Sequence, residues 1–360
     1  MTKILHVING LNRGGGESFI MNLYRNIDKT KFHFDFLLRN EANNVYEREV
    51  RKLGSEIFYT AAFPKNMLKN VKQVKEFFKN HNDYDVVHIH ANSLFYIVPV
   101  IYAKKYGIKK IIMHSHNTSG VNRIVNCIHY FFRPYVNRSV TKRLACTEEA
   151  GRFMFGKKSY IVIKNSIDVE KYMYSEVVRE EIQQKFNIKN KFVIGHVGRF
   201  VEQKNHDFLI DIFYKISQRR QEAVLLLVGT GPLHERIIKK VRMLNLEEKV
   251  IFLGDREDVE KILSACDLFL FPSLFEGLGI VLVEAQASGL RCVYSDVIPA
   301  DVKLTSYVEN VSLSQGAEIW ADVVLTKRKN INRVKQNEIV KLSSYGIEKL
   351  IGSMEKIYTE

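Results

Sequence analysis

The sequence predicts two α/β domains, each built on a parallel sheet. Three observations carry this. Short apolar runs of strand length alternate with longer amphipathic runs of helical period along nearly the whole chain. The 360 residues suffice for two domains, each with a full core. Several of the short runs end in glycine-rich or basic loops, at the strand ends where such sheets hold their ligands.

The elements read as follows. Residues 3–9 form a strand, 17–26 a helix and 32–38 a strand. Residues 46–53 and 68–80 have helical period around a short strand near 56–59. Strands follow at 86–90, 110–115 and 144–147, with helices over 93–106 and 122–137, and 160–164 closes the first set. The second set begins at 192–197 and continues through 224–229, 250–253, 268–271 and 291–294. Helical patterns separate these too, most clearly 206–219 and 233–244. The polar stretch 165–190 reads as a hinge between the sets.

Composition narrows the class. An apolar content of 46% describes a globular chain with cores to fill. The four cysteines, Cys127, Cys146, Cys266 and Cys292, show no C-x-x-C spacing, which predicts a reduced, cytoplasmic setting and no cysteine-bound zinc. The start MTKILHVING has a strand pattern rather than that of a signal peptide. The longest apolar stretch, near 96–103, is too short to span a bilayer. Charge is lopsided. Residues 1–165 hold 27 Lys and Arg against 12 Asp and Glu, a net of +15, while 166–360 are near neutral. A basic half suits an anionic partner: nucleic acid, a membrane face or a phosphorylated acceptor.

The most specific stretch is 271–289, FPSLFEGLGIVLVEAQASG. Glu276 and Glu284 stand eight positions apart around Gly277 and Gly279. If Gly279 opens a helix over 280–287, Glu276 lies in the loop before it and Glu284 about a turn and a half inside. One acid can then reach one end of a ligand and the other its far end. Bare glycine backbone and a helix N-terminus between them suit a phosphate. That pattern fits a nucleotide-sugar, with sugar hydroxyls at one acid, ribose hydroxyls at the other and diphosphate at the amides.

Other loops point the same way. NGLNRGGGE, residues 9–17, places Gly14, Gly15 and Gly16 between the first strand and helix, where backbone can approach an anion. Neither it nor VGTGPLH at 228–234 has the G-x-G-x-x-G spacing of a dinucleotide site. GRFVEQKN at 198–205 supplies Arg199 and Lys204 directly after a strand; a guanidinium fork and a point charge beside a diphosphate stabilise its departure without a metal. MHSHN at 113–117 puts His114 and His116 at a strand end, and His88 and His90 close another. With no nearby Asp or Cys to complete a ligand set, a hydrogen bond to a sugar or acceptor hydroxyl is the expectation, and no metal. KNSID at 164–168 reads as a loop.

Taken together, NRGGGE, HSHNT, KNSID, GRFVEQKNHDFLI, LLLVGTGPL, FLGDREDV and FPSLFEGLGIVLVEAQASGL resemble, in order and over residues 2–345, the retaining glycosyltransferases of family 4, in the version found in bacterial capsule and exopolysaccharide assembly. The resemblance implies the GT-B fold: two Rossmann-like parallel-sheet domains facing each other across a cleft that closes during reaction. It implies an acceptor-side domain over 1–165, a donor-binding domain over 166–345, and a C-terminal helix over 346–360 packing back on the first. Residue by residue, it places Gly15 and Gly16 near the donor diphosphate or the acceptor, and His116 in the cleft near the transferred sugar, with His114 as its rival. Arg199 and Lys204 take the diphosphate, Glu276 the sugar hydroxyls, Leu278 and Gly279 amides near the phosphates, Glu284 the ribose, and Arg256 the region of the base. Gly277-Leu278-Gly279 departs from the family's usual Phe-Gly or Gly-x-Pro after the first glutamate. Ser166 stands where many members have glycine.

The implied reaction moves a hexose from a nucleoside-diphosphate sugar, UDP-linked, to a saccharide acceptor, with retention, without metal or cofactor, the departing phosphate oxygen taking the acceptor's proton. Two alternatives stay beside it: a silent nucleotide-sugar-binding subunit, and a transferase with a soluble small acceptor. Nucleic acid is not an expected partner, since no recognition helix or aromatic-basic sheet motif occurs. In 121–143 basic residues interleave with Ile124, Ile128, Tyr130, Phe131 and Phe132. That suits an anionic membrane surface and a lipid-diphosphate-linked acceptor at the inner face of the cytoplasmic membrane. Pro134 is expected to end or kink the helix there.

Overall fold

The computed structural model describes residues 1–12, 14–39, 44–117, 120, 122–276, 279–327 and 332–360. The chain forms two compact units, Met1–Ser166 with Ile347–Glu360, and Ile167–Gly346.

The first unit runs β1 (Thr2–Ile8), α1 (Gly15–Asn26), β2 (Phe32–Leu38), α2 (Glu47–Lys52), β3 (Ile57–Tyr59), α3 (Met67–Asn80), β4 (Val86–Ala91), α4 (Val98–Lys105), β5 (Lys110–Ser115), α5 (Arg123–Ser139), β6 (Lys142–Ala145), α6 (Glu148–Phe155) and β7 (Ile161–Val162). Its seven strands are parallel, in the order β3-β2-β1-β4-β5-β6-β7. β1, β2, β4 and β5 are buried for nearly their whole length, as expected of strands covered on both faces. Helix starts follow local chemistry: Asn122 Oδ1 accepts from Val125 N at 2.9 Å to open α5, and Thr147 Oγ1 from Ala150 N at 3.1 Å to open α6.

The second unit runs α7 (Glu176–Lys185), β8 (Phe192–Val197), α8 (His206–Arg219), β9 (Ala223–Val228), α9 (His234–Met243), β10 (Val250–Gly254), α10 (Val259–Ala265), β11 (Leu268–Phe271), α11 (Ile280–Ala287), β12 (Arg291–Ser295), β13 (Val308–Val311), α12 (Ala317–Leu325) and α13 (Arg333–Leu342). Its six parallel strands repeat the order, β10-β9-β8-β11-β12-β13. α14 (Ile347–Thr359) then completes the first unit. It buries Ile347, Leu350, Met354, Ile357 and Tyr358 in the core around Phe19 and Phe34.

Both orders reverse beside the first strand of the sheet, between β1 and β4 and between β8 and β11. Loops leaving the carboxyl ends of those strands diverge there and open a crevice. The glycine run after β1 and the loops after β8 and β11 emerge at these two points.

Three expectations need correction. Residues 167–190 are not a hinge: they carry a 3-10 turn, Glu170–Tyr172, and α7, and belong to the second unit. The apolar stretch read as a helix over 93–106 turns helical only at Val98, with Pro99 in its first turn, where a missing N–H costs nothing. Of the two outcomes expected at Pro134, an end or a kink, the end does not occur: α5 continues to Ser139. Proline removes one intrahelical bond, and Val136, Ser139 and His129 are buried along the same helix, so packing holds it.

Candidate active site

In the second unit, two loops meet at the β8/β11 switch point. The loop after β8 carries Arg199, Gln203 and Lys204; the loop after β11 carries Glu276. Backbone and side chains lace them together: Leu274 N donates to Gln203 O at 2.8 Å, Asn205 Nδ2 to Pro272 O at 3.1 Å, and Gln203 Nε2 to Phe275 O at 3.0 Å. Lys204 Nζ binds Glu276 Oε1 at 2.7 Å. Their side chains are only 15% and 7% exposed, so water screens the pair weakly. The two residues assigned to diphosphate and sugar thus stand side by side, each neutralising the other. Lys204 also lies 4.8 Å over the Phe271 ring. Arg199 is exposed and its side chain makes no ion pair or hydrogen bond among the described residues, so its guanidinium is open to an anion.

The third strand of this crevice supports the first loop. Gly229 and Gly231 after β9 have φ of +134° and +157°. A Cβ on Gly229 would lie 2.1 Å from Gly198 O, and one on Gly231 2.5 Å from Phe200 O. The glycines of VGTGPLH therefore serve close backbone approach to the Arg199 loop.

Gly279 caps α11 with φ +62°, a left-handed residue at the helix start. Gly277 and Leu278 lie outside the described residues. Glu284 sits at the fifth position of α11. Burial pushes its carboxyl up to about 7, opposed by a hydrogen bond from Tyr172 and by Lys171, while Glu260 raises it further. A carboxyl at that value is poised to change charge when a ligand arrives. Arg256, after β10, is bidentate to Asp258 at 2.8 and 2.7 Å. That commits the Nε and Nη2 edge of its guanidinium and leaves Nη1 without a partner among the described residues.

In the first unit, a cavity of about 740 Å³ opens at the β1/β4 switch point. Gly14, Gly15 and Gly16, His90, His116, Arg39 and Tyr96 are among its lining residues. α1 starts at Gly15, and a Cβ on Gly16 would press on the His116 ring at 3.4 Å. Asn165 of KNSID donates to Gly15 O at 3.1 Å, which ties that loop to the glycine run. His116 lines the cavity, whereas His114 is fully buried beneath it. Of the two rivals, His116 is the one a ligand in this cavity can touch.

The histidines form a larger group than the sequence suggested. His6, from β1, joins His88, His90, His114 and His116. Ring nitrogens of His6 and His90 are 3.0 Å apart, those of His90 and His116 2.9 Å, and His88 Nδ1 meets Tyr358 Oη of α14 at 2.8 Å. Burial lowers His6 to about 3 and His116 to about 4, so all are neutral at pH 7. Two triads, His6–His88–His90 and His90–His114–His116, have ring nitrogens within 4.8 Å of one another, close enough to share an ion.

Comparison with known proteins agrees with this picture. Residues 13–171 match the model of Glycosyltransferase Family 4, and residues 178–315 that of Glycosyl transferases group 1. The chain is 34% identical to the Bacillus subtilis (strain 168) protein named "Putative glycosyltransferase EpsF", over 99% of this chain and 96% of that one. It is 27% identical, over 64% of this chain and 63% of the other, to an Escherichia coli UDP-Gal:alpha-D-GlcNAc-diphosphoundecaprenol alpha-1,3-galactosyltransferase. Among solved structures, Anabaena Alr3699/HepE in complex with UDP and glucose superposes with a TM-score of 0.80 at 19% identity, over all of both chains.

Proposed function

The chain belongs to the glycosyltransferases of group 1 and family 4, with the GT-B fold, and we propose that it moves a hexose from a UDP-sugar to a saccharide carried on a lipid diphosphate, with retention, in capsule or exopolysaccharide assembly. The observation that carries the donor half is the Lys204–Glu276 pair at the β8/β11 switch point, with Glu284 on the helix that follows. The name of the Escherichia coli relative supports the donor and acceptor classes.

In this reading the diphosphate takes Lys204 and Arg199, and the sugar hydroxyls take Glu276, so the donor replaces the internal ion pair by two contacts of its own. The bond from the anomeric carbon to the phosphate oxygen breaks. The acceptor oxygen bonds to the same face of that carbon. The released phosphate oxygen, held by the two cations, accepts the acceptor's proton. No other base is required. Thermal shift with UDP, GDP and ADP, followed by turnover with UDP-sugars, tests the donor. UDP is expected to raise the melting temperature most; a response to GDP or ADP alone refutes the UDP assignment.

Because cations on the chain serve the diphosphate, activity is expected to survive EDTA. Loss restored by magnesium or manganese refutes this. Loss restored by zinc instead directs attention to the histidine triads.

The acceptor half rests partly on α5. Ile124 (70% exposed), Phe131 (77%), Tyr130 and Tyr135 project from it, with Arg123 and Arg138 also exposed, while Phe132 packs against the core. No helix among the described residues is long and apolar enough to cross a membrane. A helix with exposed aromatics and cations docks instead in the headgroup region of an anionic bilayer, with about 1 kcal/mol per cation. We place the enzyme peripherally at the cytoplasmic face. Co-sedimentation with anionic vesicles is expected at low salt and should weaken as salt rises. Absence of binding at low salt, with efficient use of a lipid-free acceptor, favours a soluble acceptor.

A further inference from the structure

The cavity of the first unit is lined by a cation that no carboxylate touches among the described residues. Arg39 follows β2 directly and lines this cavity. Its Nε donates to Asn9 Oδ1 at 2.9 Å, and its Cζ lies over the Tyr96 ring, 4.5 Å from the centroid. Among the described residues it has no carboxylate partner. Burial works against its charge, and the tyrosine ring compensates only in part. Arg39 is half-buried, and a partly desolvated cation with no carboxylate beside it among the described residues gains by meeting an anion. Stacking on Tyr96 and the bond to Asn9 fix the plane and the Nε edge. They leave the terminal nitrogens as a fork aimed at an in-plane acceptor, the arrangement that matches two oxygens of a phosphoryl group. Glu17 lines the same cavity, and burial raises its carboxyl above the ordinary value while a backbone hydrogen bond opposes the rise.

We propose that Arg39 is the anion-binding residue of the acceptor cavity and takes a phosphoryl group that the acceptor itself carries. This rests on the reading above in which the acceptor is linked to a lipid through a diphosphate. It adds that the enzyme selects acceptors by that charge. Because His116 and Arg39 line one cavity, the phosphoryl group and the reacting hydroxyl enter it together. The acceptor is therefore a short saccharide, with its phosphate close to the sugar that is extended.

The test compares three acceptors bearing the same sugar: a glycosyl diphosphate with a short alkyl chain, the glycosyl 1-phosphate, and a neutral alkyl glycoside. The readout is the ratio of kcat/KM for each charged acceptor to that for the neutral one, in wild type, Arg39→Gln and Arg39→Lys. In Arg39→Gln the ratio for the diphosphate is expected to fall roughly 10- to 100-fold, carried by KM, the scale of a charge-assisted hydrogen bond. Arg39→Lys should recover part of it, since a point charge remains but the fork is gone. A fall for the diphosphate but not the 1-phosphate assigns the contact to the distal phosphoryl group, and a fall for both assigns it to the proximal one. An unchanged ratio with a general loss of activity makes Arg39 structural and overturns the proposal. A separate arm titrates methylenediphosphonate into protein saturated with UDP. Binding by wild type and not by Arg39→Gln supports the site even if wild type prefers the neutral glycoside, a result that would refute only the lipid-diphosphate reading. Equal binding by both proteins overturns the site itself.

Discussion

Arg199→Ala and Lys204→Ala are each expected to lower turnover by roughly 10²-fold, about 2.7 kcal/mol of transition-state stabilisation. The two variants should differ in stability. Arg199 is exposed and unpaired among the described residues, so its removal should leave the melting temperature nearly unchanged. Lys204 is the partner of a glutamate whose side chain is 7% exposed. Taking it away leaves a buried carboxylate alone, and breaking such a pair from one side destabilises strongly. Lys204→Ala should therefore melt earlier as well as turn over slowly, and Lys204→Ala with Glu276→Gln should recover part of the melting temperature without recovering activity. Steady-state kinetics and thermal melts on the three proteins decide this. Near-normal turnover in both single variants removes these residues from the diphosphate site.

The parts of this enzyme that the sequence made legible are those with a local signal. The strands at Phe32–Leu38, Lys110–Ser115, Phe192–Val197 and Leu268–Phe271 match the predicted bounds, because each is a compact apolar run with polar punctuation on both sides. The helix Ile280–Ala287 does too, since Gly279 marks its start. The weak places lack such signals. Val308–Val311 reads VENV, with half-buried Glu309 and exposed Asn310 at the centre of an edge strand of the second sheet, and went unpredicted. α7 lay inside a stretch whose polarity looked like a linker, although Ile182 and Gln183 are buried.

Site residues divide the same way. Glu276, Lys204 and Arg199 stand in spaced motifs next to strands. His6 and Arg39 do not: His6 is one residue in a strand that reads as core, and Arg39 is one cation in a half already rich in them. Their meaning comes from what the sheet order brings beside them, β4 and its histidines for His6, Asn9 and Tyr96 for Arg39. Likewise, the spacing of Glu284 says where it lies but not that burial leaves its carboxyl near neutrality.

That last point shapes the second large effect, the division of labour between the two glutamates. UDP contains the ribose but not the transferred sugar. Glu284→Ala should weaken UDP binding by roughly 10- to 100-fold, the scale of hydrogen bonds to a charged group. Glu276→Ala should leave UDP binding unchanged or slightly tighter, because Lys204 loses its internal partner and is freed for the phosphate. Use of the UDP-sugar should nevertheless collapse. Calorimetry with UDP on both variants tests this, and equal losses refute the assignment. The pH dependence adds an independent check. The carboxyl of Glu284 is raised in the folded protein to about 7 from an ordinary value of 4.5. Between those values the folded state binds more protons than the unfolded one, so this group's contribution to stability is greatest below pH 4.5 and declines as pH rises through 7. Ribose hydroxyls donate best to the ionised carboxylate, so UDP binding should pull the proton off. Affinity should fall as pH drops below 7, and binding near pH 6.5 should release protons into the buffer, beyond any shared with the ligand's own phosphate. Glu284→Gln cannot release that proton. The difference in proton release between wild type and Glu284→Gln, measured in buffers of differing ionisation enthalpy, isolates it, and no difference would mean that the ribose lies elsewhere.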